Sequence, residues 1–327
     1  MLVTGGAGYV GSHACKALAA AGYTPVVYDN LSRGHAWAVK WGPLERGDLL
    51  DPDRLAKAIR KHRPAAVLHF AALSDVGESV GDPQSYYRNN LVGTMNLLDA
   101  MRMNGIGRIV FSSSCAVYGI PQRVPIPEDH PRRPINPYGQ SKRMIEQMLR
   151  DHAVAYGLRA VSLRYFNAAG ADPGGEIGEE HDPETHLIPL LLEAASGQRS
   201  RLTLHGTDYQ THDGTCIRDY VHVSDLAEAH VLALKSLDKR AGAAEINLGS
   251  GAGFSVREVI EAARRVTGRR IPVREGRRRP GDPPVLVGDA RRARRELSWR
   301  PRHSDIHEII DTAWRWLTRR AAARNRR

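Results

Sequence analysis

The stretch "NPYGQSK" at 136–142 sets a phenol, Tyr138, four residues before an ammonium, Lys142. Asn136 is a helix-capping residue type and Pro137 suits a first helical position. The spacing therefore predicts one helix face that carries both groups, continues into Ile145 and Leu149 and points at the body of the protein. A free phenol ionises near pH 10, and lowering that to about 7 requires roughly 4 kcal/mol. One ammonium at ~5 Å, at an effective dielectric near 20, supplies about 3 kcal/mol. A second positive charge must complete the shift if Tyr138 is to act as a base at neutral pH. A hydroxyl is at hand in Ser112-Ser113-Ser114, which closes the run "RIVFSS". A serine just past the carboxyl end of a parallel strand sits where such sheets bind ligands and can exchange a proton with a substrate oxygen. The residues alone leave open which of the three serines does so.

The N-terminus offers a source for the missing charge. Thr4-Gly5-Gly6-Ala7-Gly8-Tyr9-Val10-Gly11 satisfies both GxGxxG and GxxGxxG between an apolar strand and a helical stretch. Glycines there let backbone amides approach a pyrophosphate at a helix N-terminus. Asp29 ends the next apolar run about 20 residues on, where a carboxylate hydrogen-bonds an adenosine ribose and repels a 2′-phosphate. NAD is thus expected rather than NADP, and its oxidised ring is the second positive charge that Tyr138 needs. The phenolate is then a base only while the ring is oxidised, so proton and hydride transfer are coupled. Asp48 in "RGDLLD" is a candidate for the adenine edge or a loop cap. The first strand is short, and a residue or two are expected to precede it.

These groups need a frame. Apolar, β-branched runs "LVTG", "PVVYD", "AVLHFA", "RIVFSS" and "AVSLRYF" alternate with stretches of helical spacing. That alternation predicts an α/β fold, a Rossmann-type doubly wound parallel sheet covered on both faces. After Phe166 the texture turns to glycine-, proline- and acid-rich loops. The expected division is an NAD-binding domain over 1–166 and a smaller α+β substrate domain over 167–327, with segments near 218–238 returning to pack on the first.

Composition narrows the classes further. At 327 residues and 42% hydrophobic, the chain can bury a large core. No stretch reads as a membrane span or secretory signal, so a soluble, cytoplasmic protein is expected. Cys15, Cys115 and Cys216 are scattered without metal-ligand spacing, and no metal is expected. The net charge of +11 sits largely in arginine runs such as "GRRRP", "ARRARREL" and "TRRAAARNRR". These read as a solvated basic surface suited to anionic small molecules rather than as a nucleic-acid interface.

With "HFAALSDVGESV", "YYRNN", "FSSSCAVYG", "LRYFNAAGA", "HDGTCIRDYVHV" and "NLGSG" added, the chain resembles the extended short-chain dehydrogenase/reductase family along nearly its whole length, up to Trp316. Within it, the chain is most similar to the UDP-glucose 4-epimerase group. The resemblance implies Ser114 as the active hydroxyl, Tyr138 as acid and base, and Lys142 as the partner that lowers its pKa. It implies cofactor contacts at Gly5, Gly8, Tyr9, Val10, Gly11, Asp29, Asn30, Asp48, Leu49, Phe70, Ala71, Asn89 and Phe166. For the UDP-sugar it implies Asn167, His186, Leu187, Leu204, His205, Arg218, the Arg279/Asp282 pair of "RPGD", and Leu286. The expected reaction is C4 oxidation of UDP-glucose to a 4-keto sugar, rotation, and re-reduction to UDP-galactose.

Two departures bear on this expectation. Ser74 stands where some members carry a lysine, and Leu286 where some carry a tyrosine that narrows the sugar pocket, which leaves room for an N-acetyl group. Epimerases of UDP-N-acetylglucosamine, UDP-xylose/UDP-arabinose or UDP-glucuronate share the core chemistry. A 4,6-dehydratase needs an Asp-Glu pair where this chain has Cys115 and Ala116. A catalytically silent NAD-binding regulator is disfavoured by the intact serine, tyrosine and lysine. A homodimer is expected through helices near 90–103 and 138–156.

Overall fold

The computed structural model describes residues 1–279 and 282–324. β1 (Leu2–Thr4) runs through the glycine loop into α1 (Tyr9–Ala20), and β2 (Val26–Asp29), β3 (Leu44–Arg46), α2 (Pro52–His62) and β4 (Val67–His69) follow. Then come α3 (Val76–Gly81), α4 (Pro83–Tyr87), α5 (Gly93–Met103), β5 (Arg108–Ser114), α6 (Pro137–Tyr156) and β6 (Arg159–Tyr165). The rest comprises β7 (Asn167–Ala169), α7 (Leu187–Ser196), β8 (Leu202–His205), β9 (Ile217–Arg218), β10 (Tyr220–His222), α8 (Val223–Ser236) and β11 (Ala243–Leu248). It ends with β12 (Phe254–Ser255), α9 (Val256–Thr267), β13 (Val273–Gly276), β14 (Val285–Leu286), α10 (Arg291–Leu297) and α11 (Ile306–Arg324).

Seven strands form one parallel sheet in the order β11-β6-β5-β4-β1-β2-β3. Strands buried on both faces must be apolar throughout, which is what "LVT", "VVYD" and "RIVF" supply. On one face Val3, Val110 and Val161 pack with Leu18 of α1 and Leu226 of α8; on the other Ile109 and Phe111 pack with Leu55, Leu97 and Ile145. The helices begin where local chemistry directs: Asp51 accepts from the Arg54 amide ahead of Pro52 in α2, and Ser255 and Glu258 form a capping box at α9. A separate core of Ile188, Leu191, Val259, Ile260, Ile309 and Ile310 joins α7, α9 and α11.

The central sheet and its core draw on residues beyond 166. β11 pairs with β6 at the edge of the sheet, α8 covers α1, and Trp299, fully buried, packs into the same core together with Leu297 of α10. The last three residues of the basic tail lie outside the described residues.

Candidate active site

The serine run leaves the sheet with its side chains on alternate faces. Ser112 Oγ lies 2.6 Å from the Tyr165 hydroxyl, and Ser113 donates to Glu146 at 2.7 Å on the opposite side. Ser114 Oγ accepts from the Ala116 amide at 3.1 Å, capping the short turn Cys115–Val117, and its hydroxyl also bears on the Tyr138 oxygen. Strand alternation thus separates three serines that sequence left equivalent.

Tyr138 arrives from α6. Asn136 accepts from the Gly139 amide at 2.8 Å and Pro137 begins the helix. A Cβ on Gly139 would lie 2.4 Å from the Ala116 carbonyl oxygen, so only glycine lets the helix start abut the turn after Ser114. Deeper in, Lys142 donates to the Ser112 carbonyl at 2.7 Å, with its ammonium 4.8 Å from the Phe111 ring centroid and 5.7 Å from that of Tyr138. The one carboxylate near it, Glu146, is held by the Arg164 guanidinium through two bonds of 2.7 Å.

Burial governs the electrostatics of both groups. It pushes the Tyr138 phenol well up, with Tyr165 adding to the rise and Ser114 opposing it. Burial also pulls Lys142 down to about 7 against the pull of Glu146. Desolvation dominates in each case, and the ammonium bonds the Ser112 carbonyl beside the Phe111 and Tyr138 rings. Burial also drives the Cys115 thiol up to about 12, so it stays protonated.

Whether the loop fits a dinucleotide can be read from its backbone. Gly5 has φ +72°, and a Cβ there would meet the Ala71 amide nitrogen at 2.6 Å; one on Gly11 would meet the Gly5 carbonyl at 2.2 Å. Gly8 caps α1 without a side chain, which leaves the first-turn amides of Tyr9, Val10 and Gly11 facing outward as an anion cradle. The cradle fits a pyrophosphate. Asp29 is fixed by the Ala7 amide on one oxygen (3.0 Å) and the Leu31 amide on the other (2.8 Å), with lone pairs to spare for a ribose diol. Burial raises its pKa against those two amides. The nearby Arg33 guanidinium is paired with Glu78 at 2.6 Å, which leaves no free cation for a 2′-phosphate from that side chain.

The remaining cofactor candidates are held at the same edge. Asn30 donates to Asp48 at 2.9 Å, and Leu49 packs under Gly93. The Phe70 and Ala71 amides both donate to the Thr4 carbonyl (2.9 and 3.1 Å). Asn89 sits in the wide helical turn Arg88–Val92, its amide donating to Asn90 at 2.9 Å. Phe166 lies against Gly288, where a Cβ would be 2.3 Å from its ring, and shares a small core with Leu286.

On the sugar side, Asn167 donates from backbone and side chain to the Asp219 carbonyl (3.0 and 3.2 Å), and β14 places Leu286 opposite Arg218. Arg218 makes a close ion pair with Asp282 and acts electrostatically on Cys115, which ties this edge to the Ser114 turn. Of the two residues of "RPGD" expected to meet the UDP-sugar, Asp282 pairs with Arg218, while the Arg279 side chain is exposed and its carbonyl accepts from the Asp282 amide at 3.2 Å. The Asp282 carboxylate turns inward because the less exposed guanidinium of Arg218 is there. Leu204 is buried in β8, so only its backbone can meet a ligand, and His205 Nδ1 lies 3.3 Å from the Arg277 carbonyl. A shallow groove lined by Thr207, Asp208 and Arg274–Arg278 opens nearby without including Ser114 or Tyr138.

His186 and Leu187 begin α7, but His186 belongs to a cluster that sequence reasoning missed, with Glu179, His181 and Glu184. The signal was there in "EEHDPETH", outside the cysteines on which the metal expectation rested. Tyr165 was also missed; strand alternation from "LRYF" could have put it on one face of the sheet but not beside Ser112.

These features place the protein among enzymes built around a dinucleotide cofactor. Comparison with known proteins narrows the class: the model of the NAD dependent epimerase/dehydratase family matches residues 1–249. The chain belongs to that family. It is 52% identical over 320 residues to a UDP-glucose 4-epimerase of Rhizobium meliloti, covering 98% of this chain and 97% of that one. Its fold superposes on UDP-glucose 4-epimerase from Brucella ovis in complex with NAD, with TM-score 0.93, 55% identity and 96% of each chain covered. It also superposes on the Bifidobacterium longum enzyme in complex with NAD⁺ and UDP, with TM-score 0.94, 37% identity and 98% of each chain covered.

Proposed function

We propose that this chain is an NAD-dependent isomerase that interconverts UDP-glucose and UDP-galactose at C4. The reading is carried by Ser114 and Tyr138 meeting at the carboxyl end of β5, in the same parallel sheet whose first strand ends in the glycine cradle, in a chain whose full-length relatives near 50% identity are UDP-glucose 4-epimerases. Bound NAD⁺ supplies the acceptor for the hydrogen at sugar C4 and a positive charge that favours the phenolate. Tyr138 takes the C4 hydroxyl proton, and Ser114 orients that oxygen while stabilising the ionised phenol by donating to it. Lys142, half-protonated near neutrality, holds the cofactor ribose and adds positive potential. The 4-keto sugar then turns about its bond to the diphosphate, which Arg218 holds with a planar donor fork, and Tyr138 returns the proton to the C4 oxygen as the hydrogen is restored to the opposite face of C4.

Dehydration is disfavoured, because Cys115 and Ala116 follow Ser114 and the thiol is held neutral. A homodimer forms part of the proposal: Met95, Met103, Met144 and Val154 are exposed apolar side chains on α5 and α6. No helix among the described residues is long and apolar enough to cross a membrane.

The test is incubation of purified protein separately with UDP-glucose and UDP-N-acetylglucosamine, with products identified by NMR. Formation of UDP-galactose is expected; conversion of the acetylated sugar alone would overturn the assignment. Conversion of both would show Leu286 leaving room beside Arg218.

A further inference from the structure

The loop before α7 carries Glu179, His181, Glu184 and His186, spaced E-x-H-x-x-E-x-H, with one donor atom from each lying within 4.8 Å of the others. His186 Nδ1 is 2.9 Å from Glu179 Oε1 and 3.2 Å from Glu184 Oε1. His181 Nδ1 is 3.3 Å from Glu179 Oε1 and 3.5 Å from Glu184 Oε2. A tetrahedral ion with nitrogen and oxygen ligands at about 2.0–2.1 Å has edges of about 3.3–3.4 Å, so these four approaches bracket the spacing such an ion requires.

A second observation concerns His181. Its Nδ1 is buried and makes no hydrogen bond, although two carboxylates face it. The carboxylates are themselves sequestered, with Glu179 and Glu184 side chains 7% and 5% exposed, and Glu184 is oriented by the Thr185 and His186 amides, each at 2.8 Å. We propose that these four side chains form a binding site for a divalent transition ion of zinc type. Two imidazoles argue against magnesium or calcium, which take oxygen ligands.

The charge balance is explicit. Burial pulls both imidazoles down, but the facing carboxylates outweigh it, taking His181 up to about 9 and His186 up to about 11. Two carboxylates are thus balanced either by two imidazolium protons or by one dication. The surroundings are Tyr9 and His13 of α1, with the Tyr9 ring 6.3 Å edge-on to His181, and Arg33 and His35 after β2, which bond to the Asp182 and Glu180 carbonyls. On α11, Trp316 donates to the Glu179 carbonyl and Arg320 pairs with Glu180. An ion here would pin the loop before α7, which these contacts tie to α1, the segment after Asp29 and α11.

The experiment uses full-length protein freed of metal with a chelator. Zinc titrated by calorimetry should bind one equivalent. Cobalt(II) should give the intense visible bands of a tetrahedral ion. His181→Ala and Glu184→Gln should each weaken binding by more than about tenfold. A cobalt spectrum of the octahedral aqua ion, or unchanged affinity in folded variants, would overturn the proposal. The cobalt spectrum of the unmodified chain needs no variant, and none of these measurements uses a sugar, so the outcome stands apart from the proposed reaction.

Discussion

Two titratable clusters in this molecule are built on opposite plans. Around Tyr138 and Lys142 burial is nearly unopposed, so the phenol rises and the ammonium falls, and both are driven toward neutrality. Around residues 179–186 burial is just as real, yet facing unlike charges win: carboxylates fall, imidazoles rise, and all four are driven toward ionisation. The difference lies in counter-charge and not in depth. A buried group without a partner takes its charge from whatever binds beside it, which suits a site meant to respond to a cofactor's redox state.

The sharpest way to break this comparison is Tyr138→Phe. Turnover of UDP-glucose should fall by about 10³- to 10⁴-fold, with NAD still co-purifying by absorbance; a loss under about tenfold would remove Tyr138 from the chemistry.

Next is Lys142→Met, with turnover down about 100-fold. Because the folded lysine titrates near 7 and the unfolded one near 10.5, the unfolded chain binds more protons between those values. Wild-type stability should therefore rise with pH across that window, by up to about 1.4 kcal/mol per pH unit. Urea unfolding at pH 7 and 9 should show that slope in the wild type and its loss in the variant.

The smallest effect has the opposite sign. In metal-free protein His181 is raised above its unfolded value, so its contribution is full below about pH 6.5 and is lost as pH rises through about 9. His181→Ala should flatten that decline in the same unfolding series, and an unchanged profile would mean the carboxylates do not hold its proton.

Much of the frame was legible because it depends on local chemistry. Gly5 and Gly11 are needed for backbone reasons that a motif records, Asp29 closes its strand, and the Asn136-Pro137 start of α6 is written in two residues. What escaped depended on which way a side chain turns. The i, i+4 spacing put Lys142 on the face of Tyr138 but could not tell that its ammonium would bond the Ser112 carbonyl. Three serines look alike until strand pairing assigns each a face. Nothing in "RPGD" tells that the Asp282 carboxylate pairs with Arg218, 64 positions earlier. The 179–186 cluster has no helical or strand period to mark it, so it read as loop.

The seventh strand carries a consequence for how the molecule is made. β11 is contributed from residues 243–248, and the helix over α1 ends only at Ser236. As the chain leaves the ribosome, about three quarters of it must emerge before the sheet's far edge is capped. Until then β6 presents a bare row of amides and carbonyls, open to pairing with a neighbouring nascent chain.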